Sequence, residues 1–211
     1  MAYALDAAGA LDQSFGDHGL VHLAAPLGAL VTSTPDTADG LFVAGLDPSG
    51  QTLRVAHLLA DGSFDAAFGS AGFLEVEVDA RAPSGMWLLG SDLVVGLDAT
   101  AGQDQFVRLS SAGALRTSWG TGGVATGNAP GAHTVWARND GGIVVLGTNL
   151  VLLGFDATGT AQPSYAAVPS SGIDRFLAAA PTPDGGFVAL TYAYYNTWSR
   201  SCGDSTPPEP S

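Results

Sequence analysis

The sequence predicts an all-β fold made of repeated structural units, and three observations lead to this prediction. A glycine-rich phrase of 11 residues recurs along the chain. Short apolar runs rich in Val and Leu alternate with turn signals that contain Gly, Asp and Pro. No long window has the i, i+3, i+4, i+7 spacing of an amphipathic helix. Because a long internal period is the signature of a repeat architecture, the repeat is defined before any single motif is interpreted.

The phrase occurs as GALDQSFGDHG at 9–19, GSFDAAFGSAG at 62–72, GALRTSWGTGG at 113–123 and, in a weaker copy, GTAQPSYAAVP at 159–169. Successive copies begin 53, 51 and 46 residues apart. Six positions after the first residue of each copy stands an aromatic residue: Phe15, Phe68, Trp119 and Tyr165. We predict that these rings fill the space between neighbouring repeats, where a large apolar group is needed.

The first two copies carry an aspartate three positions after their opening glycine, Asp12 and Asp65. A carboxylate at such a position accepts hydrogen bonds from the backbone amides that follow it in the turn. We therefore predict that both residues stabilise their own turns. Calcium ligation by these carboxylates is the alternative.

Between one copy of the phrase and the next, short strand candidates follow in a constant order. They lie at 19–25, 28–33, 41–46 and 52–59, then at 72–78, 84–90, 92–97 and 105–110, then at 123–127, 133–138, 142–147 and 150–155, and last at 174–181 and 186–193. The third run of each repeat is continuously apolar, which is typical of a strand buried on both faces. Asp-Gly pairs precede this run in three repeats and predict a tight hairpin turn.

Each repeat thus provides four strands, and four-stranded antiparallel units repeated around an axis are the blades of a β-propeller. We predict one domain over 1–201, a small propeller of about four blades. Its repeats lie near 9–61, 62–112, 113–158 and 159–201. Because 2–9 aligns with the last strand of a repeat, we further predict that residues 2–6 pair with 186–193 and close the ring. The competing hypothesis is a slice of a larger propeller, with open ends or a partner chain.

The repeated phrase, G-x-[LF]-D-x-x-F-G-x-x-G followed by an aliphatic strand, resembles the delta-60 repeat of bacterial secreted and surface proteins. The resemblance extends over residues 1–195, and the copies at 9–19 and 62–72 match it in full. The third copy has Arg116 and Trp119 in place of Asp and Phe. The resemblance implies a propeller-like fold and an extracellular or cell-surface location. It implies no catalytic residues and no specific activity.

The charge of the chain limits its partners. The formal net charge is −13, and the chain has no lysine. Such a surface repels nucleic acid and anionic lipid surfaces, so we expect neither as a partner. No apolar run approaches the roughly 20 residues of a spanning helix, and the first residues lack the pattern of a signal peptide. We therefore expect no membrane insertion.

The titratable residues do not form a recognisable catalytic or metal-binding motif. The four histidines, His18, His22, His57 and His133, have no Cys or carboxylate at zinc-ligand spacing, so we predict no metal and no cofactor. Cys202 opens a Pro-rich segment at 202–211 that we interpret as a linker or tail; pairing with a cysteine outside this sequence is the alternative. Four acidic residues are candidates for the rim of a propeller channel: Asp92, Asp104, Asp140 and Asp174.

An aromatic cluster at 191–198 provides the ligand-binding candidates, Tyr194, Tyr195 and Trp198. Exposed aromatic rings stack on sugars or anchor protein partners; the alternative is that they cap the terminal sheet. We therefore favour a non-enzymatic binding or display module of a secreted or surface protein, with a protein or polysaccharide as its ligand. The alternatives are a propeller-type hydrolase or lyase that uses acidic residues at the channel mouth, and a purely structural spacer.

Overall fold

The computed structural model describes residues 1–23, 27–28, 30–100, 103–129, 131–132, 134–147, 151–162, 175–182 and 187–192. In these ranges the chain forms the strands β1 (Ala2–Tyr3), β2 (Leu20–Val21), β3 (Leu30–Pro35), β4 (Leu41–Leu46), β5 (Thr52–Leu58), β6 (Phe73–Glu77), β7 (Ala80–Leu89), β8 (Asp92–Ala99), β9 (Asp104–Ser110), β10 (Val124–Gly127), β11 (Thr134–Ala137), β12 (Ile143–Leu146), β13 (Leu152–Phe155), β14 (Ala161–Gln162), β15 (Arg175–Pro181) and β16 (Phe187–Tyr192). Each strand predicted from the apolar runs overlaps one of these strands. The prediction of an all-β chain is confirmed for the described residues.

The strands form antiparallel sheets in chain order. Strands β3–β6, β7–β10 and β11–β14 make three four-stranded sheets, and within each sheet every strand pairs with the next one along the chain. Each of the first three predicted repeats contributes four strands, but the sheets do not follow the predicted repeat bounds. Strand β6 lies in 62–112, β10 in 113–158 and β14 in 159–201, so each sheet takes its last strand from the next repeat. Strands β1 and β2 form a two-stranded sheet, as do β15 and β16.

The three complete sheets share one register. In each of them the first large apolar residue of the second strand lies opposite the same repeat position of the third strand: Leu41 opposite Leu58, Leu93 opposite Leu109, and Ile143 opposite Phe155. The second strand of each sheet (β4, β8 and β12) is the third apolar run of the sequence repeat. These strands are almost entirely buried, as their continuous apolar sequence predicts. The repetition in sequence is therefore a repetition of strand pairing.

Consecutive sheets pack against each other through shared cores. One apolar cluster contains Phe42 and Leu53 of the β3–β6 sheet together with Met86 and Leu109 of the next sheet. A second cluster joins the β7–β10 sheet to the β11–β14 sheet. The first strands of the repeats also contact one another in series, β3 with β7, β7 with β11, and β11 with β15. The sheets thus follow one another in the order of the chain.

The predicted pairing of residues 2–6 with 186–193 is not made between the described residues. Strand β1 pairs with β2, Ala2 opposite Val21 and Tyr3 opposite Leu20, while β16 pairs with β15 in a separate sheet. The β1–β2 pairing reproduces that of β5 with β6, where Val55 lies opposite Leu74. The glycine-rich phrase brings these two strands together locally, and this pairing uses only one edge of β1.

Candidate functional site

The repeated aromatic residues lie in the apolar core. Phe15, Phe68 and Trp119 are 8%, 1% and 2% exposed. The Trp119 ring lies 5.7 Å from that of Phe155 and belongs to the cluster that joins two sheets. Phe68 belongs to the preceding inter-sheet cluster and lies 6.0 Å from the ring of Phe42. Tyr165, the fourth aromatic of the series, lies outside the described residues.

A hydrogen bond joins each of the first three copies of the phrase to the turn in which the next copy begins. The backbone amides of Gly16, Gly69 and Gly120 donate to the carbonyl oxygens of Asp61, Ala112 and Thr158, at 2.7, 3.1 and 2.6 Å. Each of these carbonyl groups immediately precedes the opening glycine of the following copy. This bond holds the turn at the end of one phrase against the turn at the start of the next phrase.

The two aspartates of the phrase accept hydrogen bonds within their own turns. Asp12 Oδ1 accepts from the Ser14 hydroxyl at 2.6 Å and from the Ser14 amide at 2.9 Å, and Asp65 Oδ1 accepts from the Ala67 amide at 2.9 Å. The Ser14 hydroxyl, followed by the amide, holds the pKa of Asp12 below its ordinary value. Both carboxylates therefore stabilise the turn that begins each repeat.

His57 lies between two carboxylates in the first repeat. Its Nε2 is 2.8 Å from Asp36 Oδ2, and its Nδ1 is 3.1 Å from Asp65 Oδ2. The ring stacks on Phe42 with a centroid distance of 4.4 Å. The hydrogen bond from His57, followed by the Ala67 amide, lowers the pKa of Asp65. Burial acts to raise the pKa of Asp36, but hydrogen bonds from the Ala38 amide, His57 and the Gly40 amide outweigh it and leave that pKa lowered.

The second repeat has the same kind of cluster with the charges exchanged. Arg108 and Arg116 occupy the positions of His57 and Asp65, and both pair with Asp92: Arg108 Nε lies 2.9 Å from Oδ2, and Arg116 Nη2 lies 2.5 Å from Oδ1. The Arg108 guanidinium also lies over the Trp119 ring, 5.9 Å from its centroid. Arg116 interrupts the sequence phrase, yet it takes part in an ion pair at the same place in the fold.

The other predicted rim carboxylates also have partners. Asp104 is buried and accepts hydrogen bonds from the amides of Ala99 and Ala129, at 3.1 and 3.0 Å. Asp140 pairs with Arg138 at 2.7 Å. Asp174 lies outside the described residues. The described carboxylates of this set stabilise loops and ion pairs, and Asp92 and Asp104 each contact the following repeat, through Arg116 and Ala129.

A groove lies at the junction of the β3–β6 sheet with the next repeat. Its volume is about 740 Å³, and its walls are Arg54 of β5, residues 73–75 of β6, the turn at 69–71 and the turn at 112–114. Arg54 Nε pairs with Glu75 Oε1 at 2.7 Å, and the half-buried Phe73 ring lies 5.2 Å from that of Phe64. The groove thus combines an aromatic ring, a charge-balanced ion pair and exposed backbone of two turns.

A second groove, of about 810 Å³, lies one junction further along the chain. It is lined by Gly120, Thr121 and 124–126, which are the repeat equivalents of 69–70 and 73–75, and by 158–161, the equivalent of the 112–114 turn. Gln105 stands where Arg54 stands in the first groove. In place of the ion pair, this groove has the single carboxylate of Glu77 together with hydroxyl and amide groups from Gln103, Ser118, Thr121, Thr126 and Thr160. The same junction therefore forms a groove twice, with different side-chain chemistry.

Sequence reasoning missed both grooves because their walls come from turns of two different repeats. Aligning the repeats and asking which positions meet at a junction is the signal that could have found them. The ligand candidates it did select, Tyr194, Tyr195 and Trp198, lie outside the described residues, as does Cys202. In the described part of the chain, no group of three or more His, Cys, Asp or Glu residues is placed to hold a metal ion.

Comparison with protein-family models gave no match, and comparison with curated proteins gave none either. Among the residues that the structure describes, no helix has both the length and the apolar character needed to cross a membrane.

Proposed function

We propose that this chain is a non-enzymatic binding module of a secreted or surface protein, and that its ligand is a neutral polysaccharide bound in the grooves between consecutive sheets. The recurrence of one groove at equivalent positions of two junctions is the observation that carries the proposal. A protein ligand is the alternative.

The proposal includes a propeller arrangement of the sheets. The common register of three four-stranded sheets and the serial contacts of their first strands support a radial array with β3, β7, β11 and β15 nearest the axis. The likeness of the phrase at 9–19 and 62–72 to the delta-60 repeat also supports it. In such an array the grooves open at regular intervals on the outer part of the junctions.

The chemistry of the grooves suits sugar rings. Thr121, Thr126 and Gln105 offer uncharged donors and acceptors, which match the hydroxyl groups of a neutral sugar. In the first groove the Phe73 ring supplies an apolar face, and the Arg54–Glu75 pair supplies charged hydrogen-bonding groups. Pockets that bind small ligands combine apolar area with a few polar groups in this way.

The overall charge favours a neutral ligand over an acidic one. With a net charge of −13, the chain repels uronic acid polymers and sulfated glycans at long range. A neutral polymer meets no such repulsion. Two grooves on one scaffold can also hold two stretches of the same polymer, which raises the apparent affinity through effective concentration.

The test fills each groove with a bulky side chain. Ala114→Trp blocks the first groove and Ala161→Trp the second, since both alanines are exposed and line the groove walls. Ala66→Trp, at an exposed position that lines neither groove, is the matched control. Binding to neutral glucans, mannans and galactans is measured by affinity electrophoresis and calorimetry.

We expect each single block to weaken binding by about 10- to 100-fold and the double variant to abolish it, with the control unchanged. Absence of binding to every neutral polysaccharide in the wild-type chain would contradict the proposal. Binding that survives both blocks would place the ligand elsewhere, and turnover of a polysaccharide would favour the hydrolase or lyase alternative.

A further inference from the structure

The first strand leaves exposed an apolar position that the complete sheets bury. Leu5 is 55% exposed. Its repeat equivalents, Leu58, Leu109 and Phe155, are all fully buried at 0%. Leu109 and Phe155 lie in the clusters that their sheets share with the preceding sheet. Leu5 therefore lies on a surface that, in the complete sheets, packs against the preceding sheet.

The last described strand has the complementary feature. Val188 is 65% exposed. Its repeat equivalent in β12 is Val144, because each of the two valines follows an Asp-Gly-Gly sequence by two positions. In the shared register of the sheets, Val144 is in turn equivalent to Phe42. Val144 and Phe42 are each 3% exposed. The structure thus exposes at both of its ends residues that are core positions in the complete repeats.

The two short sheets are complementary halves of one repeat. Strands β15 and β16 are the first and second strands of a four-stranded sheet, and β1 and β2 are its third and fourth. The register of the complete sheets would place Phe187 opposite Leu5 and Val188 opposite Ala4, as Ile143 lies opposite Phe155 and Val144 opposite Gly154. Among the described strands, none pairs with the second edge of β16 or with the edge of β1 that faces away from β2.

We propose that β16 of one copy of the chain pairs with β1 of a second copy, so that the two half-sheets complete a four-stranded sheet between copies. Within one chain, β1 and β16 remain in separate sheets. In this contact β1 and β2 of the second copy become the third and fourth strands of the β15–β16 sheet, in the register of the complete sheets. Such a contact joins two different surfaces, so it builds a ring or an open chain of copies.

Two further features of the edges favour association. Neither Ala2–Leu5 nor β16 contains a charged residue, and charges and prolines are the usual means by which edge strands avoid pairing. Gly9 also has no atom within 4 Å of a Cβ built on it, whereas its equivalent Gly113 is packed against Gly69 of the preceding repeat. The surface that receives a preceding repeat is therefore open at Gly9 as well as at Leu5.

The experiment measures mass in solution by light scattering and sedimentation, over a range of protein and salt concentrations. We expect the wild-type chain to self-associate, and to do so more strongly at high salt, because salt screens the repulsion between copies of net charge −13. A wild-type chain that stays monomeric at high protein and high salt concentration would overturn the proposal.

Paired variants identify the surfaces. Leu5→Asp and Val188→Asp each place a charge at one half of the contact, and both positions are exposed in the single chain, so that the fold itself is preserved. We expect each variant alone to be monomeric, with association weakened at least about 10-fold. An equimolar mixture should form a dimer, because the intact Val188 of one variant meets the intact Leu5 of the other. A mixture that stays monomeric would overturn the proposal.

A disulfide test separates pairing between copies from pairing within one chain. Ala4→Cys and Val188→Cys are combined with Cys202→Ser, which removes the native thiol. Because the two new cysteines lie opposite each other in the proposed register, oxidation should produce covalent dimers and higher species on a non-reducing gel. Oxidation that yields only a cross-linked monomer would show ring closure within the chain and would reject association between copies.

Discussion

Gly113 lies against Gly69 so closely that a Cβ atom on Gly113 would stand 2.4 Å from the Gly69 backbone nitrogen. The same relation joins Gly159 to Gly120, also at 2.4 Å. Two constraints therefore exclude a side chain at these junctions. The opening glycine has a positive φ of about 80°, and the backbone of the preceding phrase occupies the space that a Cβ atom would need. At Gly113 and Gly159 the opening glycine is therefore required by contact between repeats and not only by its own turn.

We predict that Gly113→Ala destabilises the chain clearly more than Gly9→Ala does. Both glycines have φ +80°, which costs an L-residue about 1–2 kcal/mol. Of the two, only Gly113 has another backbone within 4 Å of the Cβ atom that alanine would add. Gly9→Ala therefore measures the conformational cost alone, and the difference measures the contact. Chemical denaturation of both variants gives the two free energies of unfolding. Equal losses would show that the junction yields to the added methyl group.

Trp119→Ala should lower the free energy of unfolding by about 3–5 kcal/mol, because it empties a large buried site between two sheets. Trp119→Phe should cost much less. The ring remains, and the buried Trp119 Nε1 has no hydrogen-bond partner among the described residues, so that no bond is lost. Urea denaturation of the two variants tests this. A loss below about 1 kcal/mol for the alanine variant would mean that the site collapses or is not buried in solution.

Asp92→Asn should destabilise the second repeat by about 1–3 kcal/mol, whereas Arg116→Gln should cost less than about 1 kcal/mol. The reason is burial: the Arg108 side chain is 16% exposed and loses its carboxylate partner in the first variant, while the Arg116 side chain is 43% exposed. Thermal and urea unfolding distinguish the two. A larger loss for Arg116→Gln would show that the exposed pair contributes more than the buried one.

Stability should fall as the solution is acidified, and Asp65 should account for part of the fall. The pKa of Asp65 is lowered from 3.8 by its hydrogen bonds to His57 and the Ala67 amide. A carboxyl group whose folded pKa is depressed contributes stability above its unfolded value, and that contribution is lost as the pH falls through the folded pKa. Urea midpoints between about pH 5 and about pH 3 should therefore drop less in Asp65→Asn than in the wild-type chain.

Asp79→Asn is the matched control for this measurement, since Asp79 is an exposed carboxylate outside the His57 cluster. Because this variant leaves His57, Asp36 and Asp65 in place, the part of the acid-induced drop that depends on them should be retained. If Asp65→Asn follows the wild-type curve as well, Asp65 does not contribute to the pH dependence.

The strand positions could be predicted from the sequence because their signals are local. The run at 41–46 is apolar and follows a turn-forming Asp-Gly pair, and β4 occupies those same residues. The four-strand order of the first three repeats followed from the same reasoning, since hairpins link neighbours along the chain. The pattern did not determine how the first strand relates to the last ones, and the expected pairing of 2–6 with 186–193 is not made between the residues that the structure describes.

Side-chain partnerships were harder to predict because they depend on which repeats meet. Arg116 looked like a defect in the phrase, since a carboxylate is the usual residue there. The structure pairs it with Asp92, the first residue of β8, so the positive charge that replaces the usual carboxylate has a negatively charged partner. His57 gave no motif in sequence because both of its partners are distant along the chain or lie in another turn.

The docking of each opening glycine on the turn before it affects how such a chain can change over generations. Every junction uses the same pair of surfaces, so a unit duplicated or deleted as a whole leaves its new neighbours already matched. A gain or loss of whole repeats would then lengthen or shorten the array without requiring a new kind of contact between neighbours.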